Sequence, residues 1–257
     1  MSAMRVTWFG TASLAVETTA GRMLIDPFFP LKGSPTRVAP DAYAGYGDIL
    51  VTHGHFDHIM SLPRILRSGR AVVHCTQTPR QTLMALDVPA ERVIPFKAGD
   101  ALEVQGMTVR VFQSRHVVID RALLKRTLLS PRMLQYAGNV ATVLMGLRNY
   151  PENGETVGFL IEGDGRSLYV LGSLGMDDDT DYPTGMDLLV LPYQGASDLL
   201  TPAMKVIDRL KPGSVLLDHF DDAFPPGTSP VDISDIRQAL EGKLPLHILR
   251  PGESLTV

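Results

Sequence analysis

The chain has 257 residues, of which 44% are hydrophobic and 20% charged, and its formal net charge is −4. This length suits one large soluble domain, or at most two small ones, with a full buried core. The acidic balance argues against a protein that binds nucleic acid through bulk positive charge.

The cysteine content and the N-terminal residues indicate the cellular compartment of the protein. Cys75 is the single cysteine, so no internal disulfide can form. Residues 1–5 lead straight into a strand-like segment without the apolar core of a signal peptide. No run of apolar residues is long enough to cross a bilayer. These features predict a cytoplasmic protein without a transmembrane segment. Cys75 lies in an apolar strand, which favours a small core residue over a nucleophile.

Short strands and turns make up the first part of the chain. Strands are predicted at 4–9, 13–17 and 23–25, and the third ends at Asp26. Residues 27–47 show no periodicity and carry four aromatic side chains (Phe28, Phe29, Tyr43 and Tyr46). Long structureless loops in compact domains are usually functional. We interpret this loop either as one wall of a substrate cleft or as a loop held down by its own aromatics.

Three histidines and an aspartate follow the next buried strand, which covers residues 48–51. They lie within six residues and precede a predicted helix that ends near residue 67 (His53, His55, Asp57 and His58). Imidazole and carboxylate groups are the ligands that zinc-like cations prefer. Without a cation, four such groups on one tight turn would desolvate and repel one another. The spacing therefore favours a metal site over a histidine-rich surface loop, and we expect Gly54 to permit a sharp backbone turn where no side chain would fit.

Alternating helices and strands continue to residue 116. We predict a strand at 71–75, a helix from Thr78 to Leu86, a strand at 92–96 and a hairpin formed by 102–104 and 107–112. His116 follows this hairpin directly.

Leucines and methionines at a spacing near 3.6 residues mark residues 117–150, where they alternate with cationic side chains. This pattern predicts one or two amphipathic helices. One interpretation is a lid whose apolar face and arginines meet an apolar and an anionic part of a small-molecule substrate. The other is a dimerisation helix or a packed decoration, and a dimerisation helix would make the protein a homo-oligomer.

Polar residues end several predicted strands of the second half. The hairpin 156–161 and 167–171 ends at Ser173, the strand 186–192 leads to Tyr193, and the strand 213–217 leads to Asp218 and His219. Helices are predicted at 201–210 and 230–240. A final hairpin is predicted from residues 246–249 and 254–257.

The string His-x-His-x-Asp-His at 53–58, followed in order by His116 and His219, resembles the signature of the metallo-β-lactamase superfamily. The resemblance covers nearly the whole chain and extends to the branch with ascorbate-phosphate lactonase-like and phospholipase-D-like hydrolases. It implies an α/β fold, a four-layer αβ/βα sandwich of two mixed β-sheets with helices outside. It also implies a single domain over residues 1–257 with a helical insertion at about 117–150.

Transferred residue by residue, the resemblance assigns two metal sites. Site one takes three histidines (His53, His55 and His116), and site two takes an aspartate and two histidines (Asp57, His58 and His219). Asp57 would also orient the attacking water. Asp26 would orient a ligand or simply cap its turn. Tyr193 is a candidate for polarising a substrate oxygen.

Ser173 departs from the family pattern, because relatives carry there an aspartate that bridges two metals. A serine hydroxyl is a weak ligand for a divalent cation. Site two is then weak or empty, or another carboxylate replaces the bridge. Asp218 and the acidic run 177–179 are candidates. Asp218 has a second interpretation, the orientation of His219.

The implied function is that of a metal-dependent hydrolase. A bound cation, Zn²⁺ or in its place Mn²⁺, Fe²⁺ or Ni²⁺, would activate water to attack an ester, lactone, thioester or phosphodiester of a small molecule. The departure at Ser173 supports an alternative, a catalytically weak metal-binding module that binds a ligand or partner. A non-hydrolytic cyclase or lyase is the third option.

Overall fold

Fourteen strands form two seven-stranded sheets in this computed structural model, which describes residues 3–257. The first sheet consists of β1 (Arg5–Gly10), β2 (Ser13–Glu17), β3 (Arg22–Ile25), β4 (Asp48–Leu50), β5 (Val72–Cys75), β6 (Val93–Pro95) and β14 (Ser254–Thr256). The second consists of β7 (Ala101–Val104), β8 (Met107–Gln113), β9 (Val157–Gly163), β10 (Arg166–Val170), β11 (Leu188–Pro192), β12 (Val215–Asp218) and β13 (Leu246–His247).

Eight helices connect or cover these strands within the described residues. They are α1 (Phe56–Ile59), α2 (Leu62–Arg67), α3 (Gln77–Ala85), α4 (Arg121–Leu128), α5 (Arg132–Gln135), α6 (Ala137–Asn149), α7 (Leu200–Leu210) and α8 (Ser234–Leu240). A short 3-10 turn at Ala90–Arg92 precedes β6. None of the helices in residues 3–257 has the length and apolar character needed to cross a membrane.

Both sheets have the same pattern of strand pairing. The first runs β14-β1-β2-β3-β4-β5-β6, with three antiparallel pairs followed by three parallel pairs. The second runs β7-β8-β9-β10-β11-β12-β13 with the same succession. The chain is therefore built from two similar halves, although their sequences show no repeat.

The alternation of side chains along each strand divides the core into layers. Residues from both sheets, such as Ile25 and Val190, form one buried cluster between the sheets. The opposite face of the first sheet packs against α2 and α3, and that of the second packs against α7 and α8. This arrangement confirms the predicted sandwich of two mixed sheets with helices outside.

Four local predictions need correction. The last two strands do not form a hairpin, because β13 lies beside β12 in the second sheet and β14 lies beside β1 in the first. Helix α3 starts at Gln77 after Thr76, and α8 starts only at Ser234. The segment 117–150 contains three helices rather than one or two.

Residues 27–47 form the predicted loop without helix or strand. Phe28 and Tyr43 are buried, and the Tyr43 hydroxyl donates a hydrogen bond to the Phe28 carbonyl at 2.8 Å. Phe28 packs edge-on against Phe56 and Phe224. These contacts support the interpretation in which the loop is held down by its own aromatics.

Cys75 is completely buried in β5, as expected for a core residue. Burial raises the pKa of its thiol to about 12. Since the thiolate is the reactive form, we expect a disulfide reagent at pH 8 to label no thiol in the native protein. One thiol per chain should react once denaturant is added. Stoichiometric labelling of the folded protein would show that this strand opens.

Candidate metal centre

Every predicted ligand follows the carboxyl end of a strand. His53 and His55 lie in the loop between β4 and α1, and Asp57 and His58 belong to α1 itself. His116 comes three residues after β8, and His219 follows β12 directly. Three segments that are distant in sequence therefore bring their polar side chains to one edge of the sandwich.

One group consists of His53, His55 and His116. Each ring offers a nitrogen, and these nitrogens lie within 4.8 Å of one another. The ring centroids of His53 and His55 are 4.8 Å apart, those of His53 and His116 5.1 Å, and those of His55 and His116 4.4 Å. Three imidazoles converging in this way match the ligand number of a catalytic zinc site.

A second group consists of Asp57, His58 and His219, whose ligand atoms also lie within 4.8 Å of one another. The Nε2 atom of His219 is 3.1 Å from Oδ2 of Asp57, and Nε2 of His58 is 3.6 Å from the same oxygen. The rings of His53 and His58 are 3.9 Å apart, so the two groups are adjacent. This division is the same as that of the two predicted sites.

The two groups are buried on one side and open on the other. His53 and His58 are almost completely buried, whereas His55, His116 and His219 are partly exposed. A substrate can therefore approach the groups from the side formed by the three exposed rings.

Buried polar side chains fix the rings of His53 and His58. The Nδ1 atom of His58 is 2.8 Å from Oδ2 of Asp26, a completely buried carboxylate. The Thr52 hydroxyl donates to the same carboxylate at 2.5 Å and lies 3.0 Å from Nδ1 of His53. Such contacts leave Nε2 of each ring free for another partner, as in metal sites generally. Asp26, for which the sequence left open the orientation of a ligand and the capping of a turn, thus contacts the candidate ligand His58.

His116 and His219 are fixed in the same way. His116 Nδ1–H donates to the Val117 carbonyl at 2.7 Å, and His219 Nδ1–H donates to Oε1 of Gln194 at 3.1 Å. His219 has a positive φ of 57°, a strained conformation for a residue other than glycine. Strain of this kind is common at functional sites.

Gly54 is required by a close approach rather than by a left-handed turn. It does not have a positive φ. A Cβ atom at this position would lie 2.2 Å from the carbonyl oxygen of Pro151, which no side chain can accommodate. The expectation that no side chain fits at Gly54 is therefore confirmed, and the loop between the histidines rests against the backbone that follows α6.

The electrostatic environments of the two groups differ. Burial and the neighbouring imidazoles lower the pKa of His53 well below its usual value, and burial together with His116 lowers that of His55 to about 4. The pKa of His116 is also lowered, mainly by burial. These three rings are neutral at pH 7, and neutral imidazole is the form that binds metals.

In the second group, the neighbouring carboxylates determine the direction in which the pKa values of the histidines shift. Burial would lower the pKa of His58, but Asp26 and Asp57 outweigh it and raise the pKa. Burial would also lower the pKa of His219, but its hydrogen bond to Asp57 raises it to about 9. Burial acts to raise the pKa of Asp57, yet His58 and His219 hold it well below its usual value. Asp57 is therefore ionised at pH 7.

Nε2 of His53 and Oδ1 of Asp218, the residue directly before His219, are buried and have no hydrogen-bond partner among the described residues. An unpaired buried polar atom is costly. A cation bound by the converging nitrogens and carboxylates would satisfy such atoms, so the residues present fit a metal.

Sequence comparison assigns the chain to a known family. A sequence profile described as the beta-lactamase superfamily domain matches residues 21–220. The chain belongs to the metallo-β-lactamase superfamily. A UPF0173 metal-dependent hydrolase of Methanopyrus kandleri is 26% identical over 263 residues, which cover 98% of this chain and 99% of the relative.

Solved structures of metallo-β-lactamase fold proteins confirm the architecture. Igni18, a metallo hydrolase from Ignicoccus hospitalis, aligns with a TM-score of 0.67 at 19% identity and covers 99% of this chain and 98% of its own. Zn²⁺-bound PqqB from Methylobacterium extorquens aligns with a TM-score of 0.60 at 17% identity, covering 95% of this chain and 87% of its own. At these identities the likeness concerns the fold.

Ser173, at the position where the metallo-β-lactamase superfamily resemblance implies a bridging aspartate, is buried and has a local partner. Its hydroxyl accepts a hydrogen bond from the Val117 backbone N–H at 3.0 Å. This bond fixes the chain just after His116. The acidic run 177–179 lies in a solvated loop, where Asp177 pairs with Arg115 and Asp178 with Lys205.

Asp218 is a buried carboxylate that directly precedes the candidate ligand His219. Along β12, Leu216 packs between the sheets and Leu217 packs on the helix side, so alternation places Asp218 on the inner face. Burial raises the pKa of Asp218 to about 8, although the charges of His219 and His58 act to lower it. Its environment therefore includes two candidate ligands of the second group.

The structure corrects the prediction for Tyr193. Its side chain is completely buried in the cluster on the helix side of the second sheet, and its hydroxyl donates to Asp235 at 2.8 Å. Leu189, Leu191 and Tyr193 share that face, so the next residue, Gln194, points to the centre. The period of two along β11 would have indicated Gln194.

Proposed function

We propose that this protein is a metal-dependent hydrolase that attacks an ester, lactone, thioester or phosphodiester of a small molecule with water. The observation that carries this proposal is the convergence of two adjacent groups of ligand atoms, each within 4.8 Å. Its relatives over 98% of the chain are named metal-dependent hydrolases, which supports the same reaction class.

The donor set favours zinc among the divalent cations, because it consists of imidazole nitrogens and a carboxylate. His53, His55 and His116 would hold one ion, and Asp57, His58 and His219 a second. A bound cation would lower the pKa of water toward neutrality and polarise the substrate oxygen.

The chain's own residues prepare the reaction. Thr52, Asp26 and Gln194 keep their histidines in one orientation, so the centre does not have to reorganise when a substrate binds. The ionised Asp57 carboxylate accepts a hydrogen bond from the attacking water and holds it in line with the substrate. The partly exposed rings of His55 and His116 border the approach of the substrate.

In the absence of an aspartate at position 173, Asp218 would be the additional carboxylate that helps to hold the metal. It is buried on the inner face, has an unpartnered oxygen, and feels the charges of His58 and His219. Ser173 cannot serve equally well, since its hydroxyl already accepts a hydrogen bond from Val117 and is a weak ligand.

Metal content tests these assignments. Protein purified without chelators should contain two zinc ions per chain, and Asp218→Asn should contain one. Adding Ser173→Asp to Asp218→Asn should restore the second ion. Asp187→Asn, at the opposite end of β11, serves as the control and should retain both. Two ions in Asp218→Asn would contradict the role of Asp218, and no metal in the wild type would contradict the hydrolase.

Turnover separates the hydrolase from a metal-binding module that is catalytically weak. Chromogenic esters and phosphodiesters should be cleaved by the zinc-loaded protein and not after chelation. A module would bind zinc equally well without turnover. The incorporation of water into the products distinguishes hydrolysis from a lyase or cyclase reaction.

The proposal also covers the cellular location of the enzyme, the character of its substrate and its oligomeric state. A cytoplasmic location is supported by the single buried cysteine, which makes the fold independent of disulfides. An apolar part of the substrate is predicted if the segment 117–150 is a lid. A homo-oligomeric state belongs to the alternative interpretation, in which that segment is a dimerisation helix.

A further inference from the structure

The helical segment 117–150 has an unusual distribution of exposed apolar side chains. The structure exposes twelve large apolar side chains in residues 3–257, and nine of them belong to this segment (Val118, Ile119, Leu124, Leu128, Leu129, Leu134, Leu144, Met145 and Leu147). Leu134 is 86% exposed and Val118 80%. Exposed apolar surface concentrated in one place marks an interaction site.

The other face of the segment is fixed to the protein. Gly146 packs against the Phe56 ring, and Val143 is buried beside it. The Asn139 side chain donates to the carbonyls of Lys32 and Pro225, both at 2.8 Å. Since these contacts hold α6 in place, the exposed leucines form a surface of the folded protein.

The segment has a net positive charge. Residues 117–150 contain five cationic side chains and one carboxylate, in a chain whose net charge is −4. That carboxylate, Asp120, accepts hydrogen bonds from the backbone N–H groups of Leu123 and Ser197. Arg132 pairs with Asp222. Among the described residues, the other four form no ion pair with a carboxylate and are exposed (Arg121, Lys125, Arg126 and Arg148).

Cations and leucines share the same side of the helices. In α4, Leu124 and Leu128 lie one turn apart, next to the pair Arg121 and Lys125. In α6, Arg148 lies one turn after Leu144. Helices that lie in a lipid interface combine an apolar face with lysine and arginine in this way.

We propose that this surface, the exposed face of α4 to α6, docks on an anionic lipid bilayer. Leucines insert among the acyl chains, and the four free cations contact anionic headgroups. A second copy of the chain fits less well, since a two-fold contact would bring four cations against the same four. The segment also lacks exposed aromatic residues, which protein interfaces favour. Its tyrosines, Tyr136 and Tyr150, are half-buried.

Vesicle co-sedimentation tests this proposal with the full chain. Vesicles of phosphatidylcholine with phosphatidylserine should bind the wild type at low salt, and vesicles of phosphatidylcholine alone should bind it far more weakly. Raising the salt concentration should weaken binding to the anionic vesicles. Equal binding to both vesicle types, or binding to neither, would overturn the proposal.

Two variants and a matched control locate the surface. The charge variant is Arg121→Glu/Lys125→Glu/Arg126→Glu, the apolar variant is Leu124→Ser/Leu128→Ser/Leu144→Ser, and the control is Met84→Ser/Leu86→Ser on exposed positions outside the segment. The charge variant should bind anionic vesicles on the order of 100-fold more weakly. The apolar variant should lose at least about tenfold, and the control should bind like the wild type.

Thermal unfolding shows whether each variant is folded, which the exposure of the altered side chains leads us to expect. Sedimentation velocity without vesicles tests whether a second copy of the chain, rather than a bilayer, covers this surface. A dimer that the apolar variant abolishes, together with vesicle binding that it leaves unchanged, would show that a second copy covers this surface and would overturn the proposal.

Discussion

Asp57→Asn is expected to lower kcat/KM for any hydrolysed substrate by roughly 10²- to 10⁴-fold, the usual contribution of a group that handles the proton of the attacking water. The amide keeps the shape of the side chain but lacks the charge that His58 and His219 face. Steady-state kinetics with a chromogenic ester or phosphodiester measure the effect.

Asp178→Asn is the matched control, because this carboxylate lies on an exposed loop and pairs only with Lys205. It should retain full activity. Metal analysis of Asp57→Asn completes the experiment. Two bound ions without turnover would assign Asp57 to the orientation of water, whereas a lost ion would assign it to ligation. Activity within a factor of two of the wild type would contradict both roles.

Asp26→Ala is expected to have the largest effect on stability. The carboxylate is completely buried, and it accepts hydrogen bonds from the Thr52 backbone and hydroxyl and contacts His58. Removing one partner of such a buried network costs about 3–5 kcal/mol in the free energy of unfolding. For a chain of this size, this corresponds to a fall in Tm of roughly 10 °C. Urea unfolding of chelator-treated protein measures the change without a contribution from bound metal.

Asp87→Ala separates the network from the backbone. Asp26 has a φ of 45° and Asp87 a φ of 61°, so alanine meets the same left-handed strain at both positions, about 1–2 kcal/mol. Asp87 is exposed. If Asp26→Ala proves no less stable than Asp87→Ala, the buried network contributes nothing measurable.

The sequence was most informative where chemistry and local pattern coincide. The ligand candidates could be placed in order because the resemblance to the metallo-β-lactamase superfamily implies that order and each candidate follows an apolar strand. The contacts of these residues were harder to predict. Thr52 and Gln194 fix imidazole rings through hydrogen bonds that leave no mark in composition. Tyr193 was chosen over Gln194 by residue type, although the alternation along β11 opposes that choice.

Long-range partners explain the other errors. A turn near Gly252 suggests a local hairpin, but the residues on either side of it pair with β12 and β1, which lie far away in the chain. The apolar periodicity of residues 117–150 predicts helices correctly. Periodicity cannot show whether an apolar face meets the core or solvent, since this depends on which surface lies opposite.

The division of the last two strands between the sheets has a consequence for synthesis of the protein. Each sheet gains an edge strand only from residues beyond 245, so neither can be completed while the ribosome is still adding the preceding helices. Asp57 likewise meets His219 only after 162 further residues have been added. The nascent chain must keep its early apolar strands from aggregating until then. The second group of ligands is therefore assembled late, because His219 leaves the ribosome long after Asp57 and His58.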